Sequence, residues 1–303
     1  MTLRGMSTHP VSYLPYPVIF FGGTAALVAG VSQGLPYWHV GPPILLLAAL
    51  LVLALERVFP HAEVWRRDHD GDTLTDVFHV TGNLALSHVS LLLYTLAMEL
   101  TGGALSWWPR DWPFWAQFLV GTVLLDLGLY GIHRASHHVP ALWRLHAIHH
   151  SPRRVYWLNG QRRHLLHEAL EGAPGLLVMG LLGAPPTVVA CALAAVTLHL
   201  MFQHGNIAYR AGVLRHVFAV AELHRWHHQR LYADVQGNYG AILSVWDRLF
   251  GTALPQKGEA PLDVGMDDEP TLPTDYLGQL AWPFRGRRGA RGGIGASPSG
   301  QDA

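Results

Sequence analysis

The sequence predicts an all-α integral membrane helical bundle, with about four spans plus a short membrane hairpin and a cytoplasmic histidine-rich helical cap. Three observations predict this fold class. Half of the 303 residues are apolar and only 14% are charged, against about 25% charged residues in an ordinary soluble domain. Long stretches contain no charged residue. Fourteen of the twenty histidines lie between His133 and His228.

The uncharged stretches predict the spans, because about 20 apolar residues cross the hydrocarbon core of a bilayer. The first stretch is long enough for two spans and is interrupted by glycine and proline, so we predict a turn there. A later stretch is divided by a Gly-Ala-Pro-Pro turn into two short halves, which fit a membrane hairpin. The predicted spans are 16–34, 43–59, 77–98 and 114–132, with the hairpin inside 172–209.

Basic residues predict the orientation and the division of the chain. The segments 60–76 and 133–171 are rich in arginine, as is the chain after residue 209, and this is typical of cytoplasmic segments. We therefore expect an N-terminal transmembrane pair with a polar loop (1–75), a histidine-rich domain (76–255) and a C-terminal tail (256–303). The composition of the tail predicts that it is largely disordered.

Charge and cysteine content exclude several classes of protein. The 21 basic and 21 acidic residues balance, so nothing favours nucleic acid as a partner. The single cysteine, Cys191, excludes a disulfide scaffold and a cysteine-based zinc module. The chain carries no flavin or nicotinamide fingerprint, so a redox reaction would need an external electron donor.

Three histidine clusters have the spacing of metal ligands. Residues three or four apart lie on one face of a helix, and imidazole is a common ligand of zinc, copper, iron and nickel. The histidines exceed what one ion coordinates, so we predict two metal ions. The clusters are His133 and His137; His146, His149 and His150; and His224, His227 and His228.

Two residues near the first cluster are candidates for supporting roles. His138 adjoins the cluster but breaks its helical spacing. Asp126 lies two helical turns before His133, inside the membrane, where a carboxylate needs a partner. We expect Asp126 to orient a ligand histidine through the second ring nitrogen; an ion pair with Arg134 is the alternative.

These clusters and the motifs around them resemble the fatty acid hydroxylase and sterol desaturase superfamily. The similar segments are 126–138, 142–152, 202–206, 222–228, 234–240 and 246–252, within roughly 76–255. The resemblance implies a catalytic domain in which histidines hold a non-haem di-iron centre, with two iron ions as cofactors. It implies that O2 and external electrons are used to hydroxylate or desaturate a lipid. The implied partners are the lipid, the membrane and an electron donor of the ferredoxin or haem/flavin reductase type.

The resemblance also implies which residues hold the metal. Matched by position, the ligands are His133, His137, His146, His149, His150, His204, His224, His227 and His228. His164 and His199 are further candidates, as ligands or as hydrogen-bonding neighbours of ligands, but Leu165 stands where a proline often follows the histidine at 164. Asn238 is a candidate for hydrogen bonding near the ligands, and packing is the role we favour for it.

The sequence leaves the lipid open among fatty acyl chains, sterols or hopanoids, carotenoids and ether lipids, and it leaves hydroxylation and desaturation open. The alternative to an enzyme is a membrane metal-ion transporter or metal-binding protein using the same histidines. Transporters bind ions near the bilayer midplane, whereas these histidines lie at span ends, so we favour the enzyme. A zinc protease is excluded, because Glu171 stands where the second histidine of His-Glu-x-x-His would be.

Overall fold

Ten helices form the protein in the computed structural model, which describes residues 10–68, 71–101, 106–255, 260, 262–266 and 272–285. In chain order they are α1 (Pro10–Ser32), α2 (Tyr37–Val58), α3 (Asp72–Thr101), α4 (Phe114–His138), α5 (Pro140–His150), α6 (Leu165–Leu182), α7 (Pro186–Gln203), α8 (Ala221–His227), α9 (Val245–Leu249) and α10 (Tyr276–Ala281). Helices α1 to α4, α6 and α7 are long and apolar enough to cross a membrane. The predicted all-α membrane bundle of four spans and a hairpin is therefore confirmed.

The turn between α1 and α2 is shorter than the sequence predicts. We expected a break up to residue 43, but α2 already begins at Tyr37 and includes Pro42 and Pro43. Proline has a backbone φ close to the helical value. Membrane helices also tolerate the loss of the backbone hydrogen bond that proline cannot donate. The chain reverses instead at Gly34, which has a φ of +87°.

The hairpin helices α6 and α7 are also longer than predicted, with 18 residues each. Helix α6 begins seven residues before the uncharged stretch and includes Glu168 and Glu171. The predicted boundary was wrong because both carboxylates pair with Arg163 (3.2 and 2.8 Å) rather than facing water. Gly183, with a φ of +85°, ends α6 in the left-handed conformation.

Helix α7 lies at the centre of the bundle. Most of its side chains are buried, and many are small, including Ala190, Ala192, Ala194 and Ala195. Small residues let helix backbones approach closely in a membrane. Small residues also allow α4 and α6 to approach closely, because a Cβ on Gly128 would lie 2.7 Å from the backbone nitrogen of Gly175. This contact fixes α4, which carries the first histidine cluster, against the hairpin.

The segments between the spans form a cap at one end of the bundle. Phe59, after α2, accepts a hydrogen bond from the backbone N–H of Ala208, after α7. Asp72, at the start of α3, pairs with Arg154, which follows α5. The polar segments that the sequence predicts on one side of the membrane therefore meet, and the cap contains α5, α8, α9 and α10.

A short part of the C-terminal tail, which we predicted to be largely disordered, folds onto the cap. Residues 272–285 contain α10 and pack on the cap, where Gln279 and Trp282 are buried. The amide oxygen of Gln279 accepts a hydrogen bond from Nε2 of His79 in α3 (2.8 Å). The tail contains enough apolar and amide side chains at this point to bury a short helix. The Arg/Gly-rich run after residue 285 lies outside the described residues.

Candidate metal centre

The first group of converging histidines contains five residues from three helices. Helix α4 provides two of them, α5 two and α8 one, and their candidate ligand atoms all lie within 4.8 Å of one another. All five side chains are buried. We call this group the five-histidine cluster; its members are His133, His137, His146, His150 and His227.

The second group contains four buried histidines and is called here the four-histidine cluster: His149, His204, His224 and His228. The Nε2 atom of His204 lies 3.2 Å from that of His149, 3.2 Å from that of His228 and 3.0 Å from that of His224. A tetrahedral ion with metal–nitrogen distances of 2.0–2.1 Å would separate its ligand nitrogens by about 3.3 Å. The four nitrogens are therefore spaced like the ligands of one ion.

The two clusters are direct neighbours. His149 and His150 are consecutive in α5 but face different clusters, because successive helical side chains point about 100° apart. His227 and His228 divide in the same way at the end of α8. The rings of His150 and His228, one from each cluster, stack with centroids 4.6 Å apart and an interplanar angle of 25°.

Hydrogen bonds fix the tautomers of His133 and His227 so that their free nitrogens face each other. Nδ1 of His133 donates to the carbonyl of Tyr239 (2.8 Å), and Nδ1 of His227 donates to the carbonyl of Gly237 (2.7 Å). Their Nε2 atoms, which lie 2.9 Å apart, then each carry a lone pair. Burial lowers the pKa of His227 to about 4, so a proton does not relieve this repulsion at neutral pH. A cation between the rings would relieve it.

Most of the other cluster histidines also have a ring nitrogen without a hydrogen-bond partner in the described part of the chain. Among the described residues, the Nδ1 atoms of His137, His146, His149, His150, His204 and His224 are buried and accept or donate no hydrogen bond. Burial is the main cause that lowers the pKa of the cap histidines well below 6.5, and neighbouring imidazoles or Arg163 lower it further. These histidines are at 149, 150, 204, 224 and 228. Neutral, converging imidazoles suit iron, zinc and copper, and the residues present fit two such ions.

Buried ion pairs hold the segment after α5 against the clusters. Arg154 binds Asp72 (2.6 Å), and Arg162 binds Asp76 (3.0 Å). Both carboxylates belong to the first turns of α3, so they tie this helix to the cap. Removing one member of a buried pair leaves an uncompensated charge, and the position of the segment depends on these pairs.

One buried histidine beside the clusters was missed by the sequence analysis. His167 of α6 lies next to His146, with ring centroids 4.7 Å apart. Its Nε2 is 2.8 Å from Oγ of Ser136, and its Nδ1 is 3.5 Å from a carboxylate oxygen of Glu171. These three, His146, His167 and Glu171, form a further group that could hold an ion. The i, i+4 spacing of His167 and Glu171 was the available signal.

The nine predicted ligands are the nine members of the two clusters, whereas His138, His164 and His199 lie outside both. His138 is exposed, 3.5 Å from the hydroxyl of Tyr239. His164 caps α6: its Nδ1 accepts from the N–H of Leu166, and its Nε2 donates to the carbonyl of Leu280. His199 contacts the hydroxyl of Tyr16 and the carbonyl of Ala219. Each therefore has a structural partner.

Asp126 does not orient a ligand histidine as the sequence analysis expected. Its carboxylate accepts hydrogen bonds from the N–H groups of Ile242 (2.6 Å) and Leu243 (3.0 Å) and from the indole of Trp246 (2.7 Å). The carboxylate satisfies its buried charge with these three donors, which come from a distant part of the chain. Its effect on His133 is indirect, because it anchors the segment after Tyr239, whose carbonyl orients His133.

Asn238 makes two hydrogen bonds within the turn that adjoins both clusters. Its side chain donates to the carbonyl of Leu223 and accepts from the N–H of Leu254, both at 2.9 Å. Its φ is +55°, a conformation that asparagine tolerates better than most residues. The two neighbouring residues, Gly237 and Tyr239, supply the carbonyls that orient His227 and His133. Asn238 therefore fixes the turn that sets both tautomers.

Comparison with known proteins bears on the reaction. Residues 118–252 match the family model described as fatty acid hydroxylase, and this range contains all nine cluster histidines. The chain is 33% identical over 299 residues to ornithine lipid hydroxylase OlsE of Rhizobium tropici, covering 95% of this chain and 88% of that protein.

More distant relatives match about half of the chain. Alkylglycerol monooxygenase of Danio rerio is 31% identical over 149 residues, which are 49% of this chain and 32% of that protein. Sphinganine C4-monooxygenase 1 of Arabidopsis thaliana is 26% identical over 160 residues, 51% of this chain and 60% of that protein. No solved structure matches. The long, well-covered match and the family motifs show that the chain belongs to the fatty acid hydroxylase family, a family of oxidoreductases.

Proposed function

We propose that the protein is a membrane-bound non-haem di-iron oxygenase that hydroxylates a C–H bond of a lipid. Nine histidines would hold the two iron ions, five in one cluster and four in the other. The observation that supports this most directly is the pair His133 and His227, whose fixed tautomers leave two lone pairs 2.9 Å apart. When bound, reduced iron would supply the activation of O2 for attack on an unreactive C–H bond.

The residues of the chain would hold, orient and shield the metals. Carbonyls of Gly237 and Tyr239 fix the ligand nitrogens of His227 and His133, and such hydrogen bonds also raise the basicity of the ligand. The cluster histidines are buried, so bulk water is kept from the centre. Arg163, paired with Glu168 and Glu171, places a cation beside the histidines without offering a competing ligand.

We propose hydroxylation rather than desaturation, and a polar lipid rather than a sterol or carotenoid. The relatives named above are called hydroxylases or monooxygenases, and their names refer to ornithine lipid, alkylglycerol and sphinganine. The relative matched over 88% of its length is named for ornithine lipid, so we take a lipid of this class as the first candidate substrate. The catalytic unit would be 76–255, with the metal centre on the cytoplasmic side. The electrons would come from a ferredoxin or a haem or flavin reductase.

The test combines metal analysis with isotope labelling. The full chain is expressed with a matched variant, His149→Ala/His227→Ala, in bacteria that contain ornithine lipid and are grown under oxygen-18 gas. We expect two irons per purified chain and one oxygen-18 atom in a hydroxylated lipid, both lost in the variant. Bound metal without any oxygen-18 lipid product would contradict the oxygenase and favour the metal-ion transporter. A product that persists in the variant would exclude these histidines as the site.

A further inference from the structure

Two short cap segments expose an unusual combination of apolar and basic side chains. One is the turn Gly212–His216 and the other is α9, each taken with the residue that follows it. Arg215, His216 and Arg248 are exposed basic side chains of these segments. The exposed apolar side chains are Val213, Val217, Val245, Leu249 and Phe250. Five exposed apolar side chains this close together need a covering surface.

The position of these segments identifies the covering surface as the bilayer. Phe250 stacks on Tyr130 of α4, with ring centroids 5.4 Å apart. Tyr130 lies about one helical turn before His133, on the side toward the membrane. On the other side, Gly212 lies against the ring of Tyr13 at the start of α1. The segments thus border two membrane-spanning helices near their cap ends, where apolar side chains reach acyl chains and basic ones reach headgroups.

The basic side chains surround a cavity of about 190 Å³, which we call the arginine cavity. Its lining residues are Arg215, His216, Leu223, Asn238, Ser244, Asp247, Arg248, Ala253 and Leu254. Nη2 of Arg248 lies 2.9 Å from Nδ1 of His216, so its close neighbour is an imidazole rather than a carboxylate.

The two acids near the cavity leave its basic character in place. Asp247 already accepts hydrogen bonds from the N–H groups of Tyr239 and Gly240 and from the hydroxyl of Thr252. Glu222 accepts from the N–H of Ala211 and lies 3.6 Å from Arg215. The cavity lining therefore contains two guanidinium groups and one carboxylate, that of Asp247, which already accepts three hydrogen bonds. A guanidinium binds phosphate or carboxylate oxygens in pairs.

The inner wall of the cavity adjoins the metal centre. Leu223 precedes His224, and Asn238 lies between the two residues whose carbonyls orient His133 and His227. A group held in the cavity is thus outside the clusters but next to the backbone that positions them.

We propose that the arginine cavity binds the acidic headgroup, phosphate or carboxylate, of a lipid in the adjoining bilayer leaflet. Arg215 and Arg248 hold the headgroup oxygens, and the exposed apolar side chains contact the acyl chains of the same leaflet. This is a statement about binding, and it stands whether or not the chain catalyses the proposed reaction.

The test measures lipid binding to the detergent-purified full chain by native mass spectrometry. The probes are dioleoyl phosphatidylglycerol, dioleoyl phosphatidylcholine with the same acyl chains, and inorganic phosphate as a competitor. The variant is Arg215→Gln/Arg248→Gln. The matched control, Arg66→Gln/Arg230→Gln, removes the same charge from two exposed cap arginines outside the cavity. Metal content and thermal midpoint verify that both variants fold.

We expect the wild type and the control to prefer phosphatidylglycerol over phosphatidylcholine. The cavity variant should bind phosphatidylglycerol about fifteenfold to thirty-five-fold more weakly, since each arginine near a lipid headgroup strengthens binding by a factor of about four to six. An equal loss in the control, or no loss in the cavity variant, overturns the proposal. So does displacement of the lipid by inorganic phosphate at equal concentration, which would make the cavity a site for free anions.

Discussion

Gly160 lies directly against the imidazole of His204. A Cβ atom on this glycine would come within 2.9 Å of Nδ1 of His204 and 3.2 Å of the carbonyl oxygen of Leu200. The glycine belongs to the 3-10 turn Trp157–Gln161, which the buried pairs of Arg154 and Arg162 hold in place. The absence of a side chain at Gly160 is therefore a condition for the position of His204, one member of the four-histidine cluster.

Gly160→Ala should displace His204 and weaken metal binding in the four-histidine cluster. The Cβ would also crowd the backbone carbonyl oxygen of Leu200, so a movement of the His204 ring alone does not relieve all of the close contacts. We expect one metal ion per chain instead of two, measured by mass spectrometry of purified protein. Gly131→Ala, in the same helix as His133, is the control, because a Cβ there meets nothing within 4 Å. Full metal content in the Gly160 variant would show that the turn can move away.

Two substitutions at consecutive residues should empty different clusters. His227→Ala removes a member of the five-histidine cluster, and His228→Ala removes a member of the four-histidine cluster. Each variant should lose about one of two ions, and iron spectroscopy should show a different remaining site in each. The same spectrum in both variants would mean that the nine histidines hold their metal as one unit.

The metal-free protein should lose stability as the pH falls below 6.5. Burial lowers the pKa of His149, His150, His204, His224 and His228 well below this value, and each imidazole returns to about 6.5 in the unfolded chain. Above pH 6.5 neither state binds protons at these groups, so they contribute no pH dependence. Below pH 6.5 only the unfolded state binds protons. The free energy of unfolding then falls by up to about 1.4 kcal/mol per pH unit for each histidine.

This pH dependence is measurable as the thermal midpoint of metal-free protein in detergent between pH 7.5 and 5.5. We expect a plateau above pH 6.5 and a steep fall below it. Replacing two cluster histidines, in His149→Leu/His224→Leu, should make the fall shallower. A midpoint that does not change across the range would mean that the imidazoles accept protons in the folded protein.

Local spacing predicts much of this site, because helical periodicity alone brings His133 and His137 to one face. It does not predict that His149 and His150 serve different clusters, since that depends on which helices lie on either side of α5. His204 stands alone in its segment, so only the family resemblance pointed to it. His167 was missed because its neighbours Ser136 and His146 belong to other helices.

The spans were predictable to the extent that they are uncharged. The start of α6 was misplaced because buried pairing with Arg163 makes Glu168 and Glu171 compatible with a membrane helix. The partners of Asp126 were not predictable either, because backbone N–H groups 116 residues further along the chain leave no local signal.

Asp126→Asn should lower the stability of the protein while leaving the metal content of the folded protein unchanged. The carboxylate accepts hydrogen bonds from Ile242, Leu243 and Trp246. An amide turns one acceptor into a donor that faces N–H groups, and hydrogen bonds to a charged group contribute about 1.5–3 kcal/mol each. We therefore expect the thermal midpoint to fall clearly. Protein purified in the cold should retain two ions, because no cluster nitrogen is among the partners of Asp126.

Two further variants separate this anchoring role from the direct orientation of a ligand. Trp246→Phe removes one of the three donors. The double variant Asp126→Asn/Trp246→Phe should therefore lose less stability than the sum of the losses in the two single variants. Asp234→Asn, at an exposed acid of the cap, should leave both stability and metal content unchanged. If Asp126→Asn instead releases metal at an unchanged midpoint, the carboxylate acts on a ligand histidine directly. The contact of Asp126 with the 242–246 segment would then be incidental.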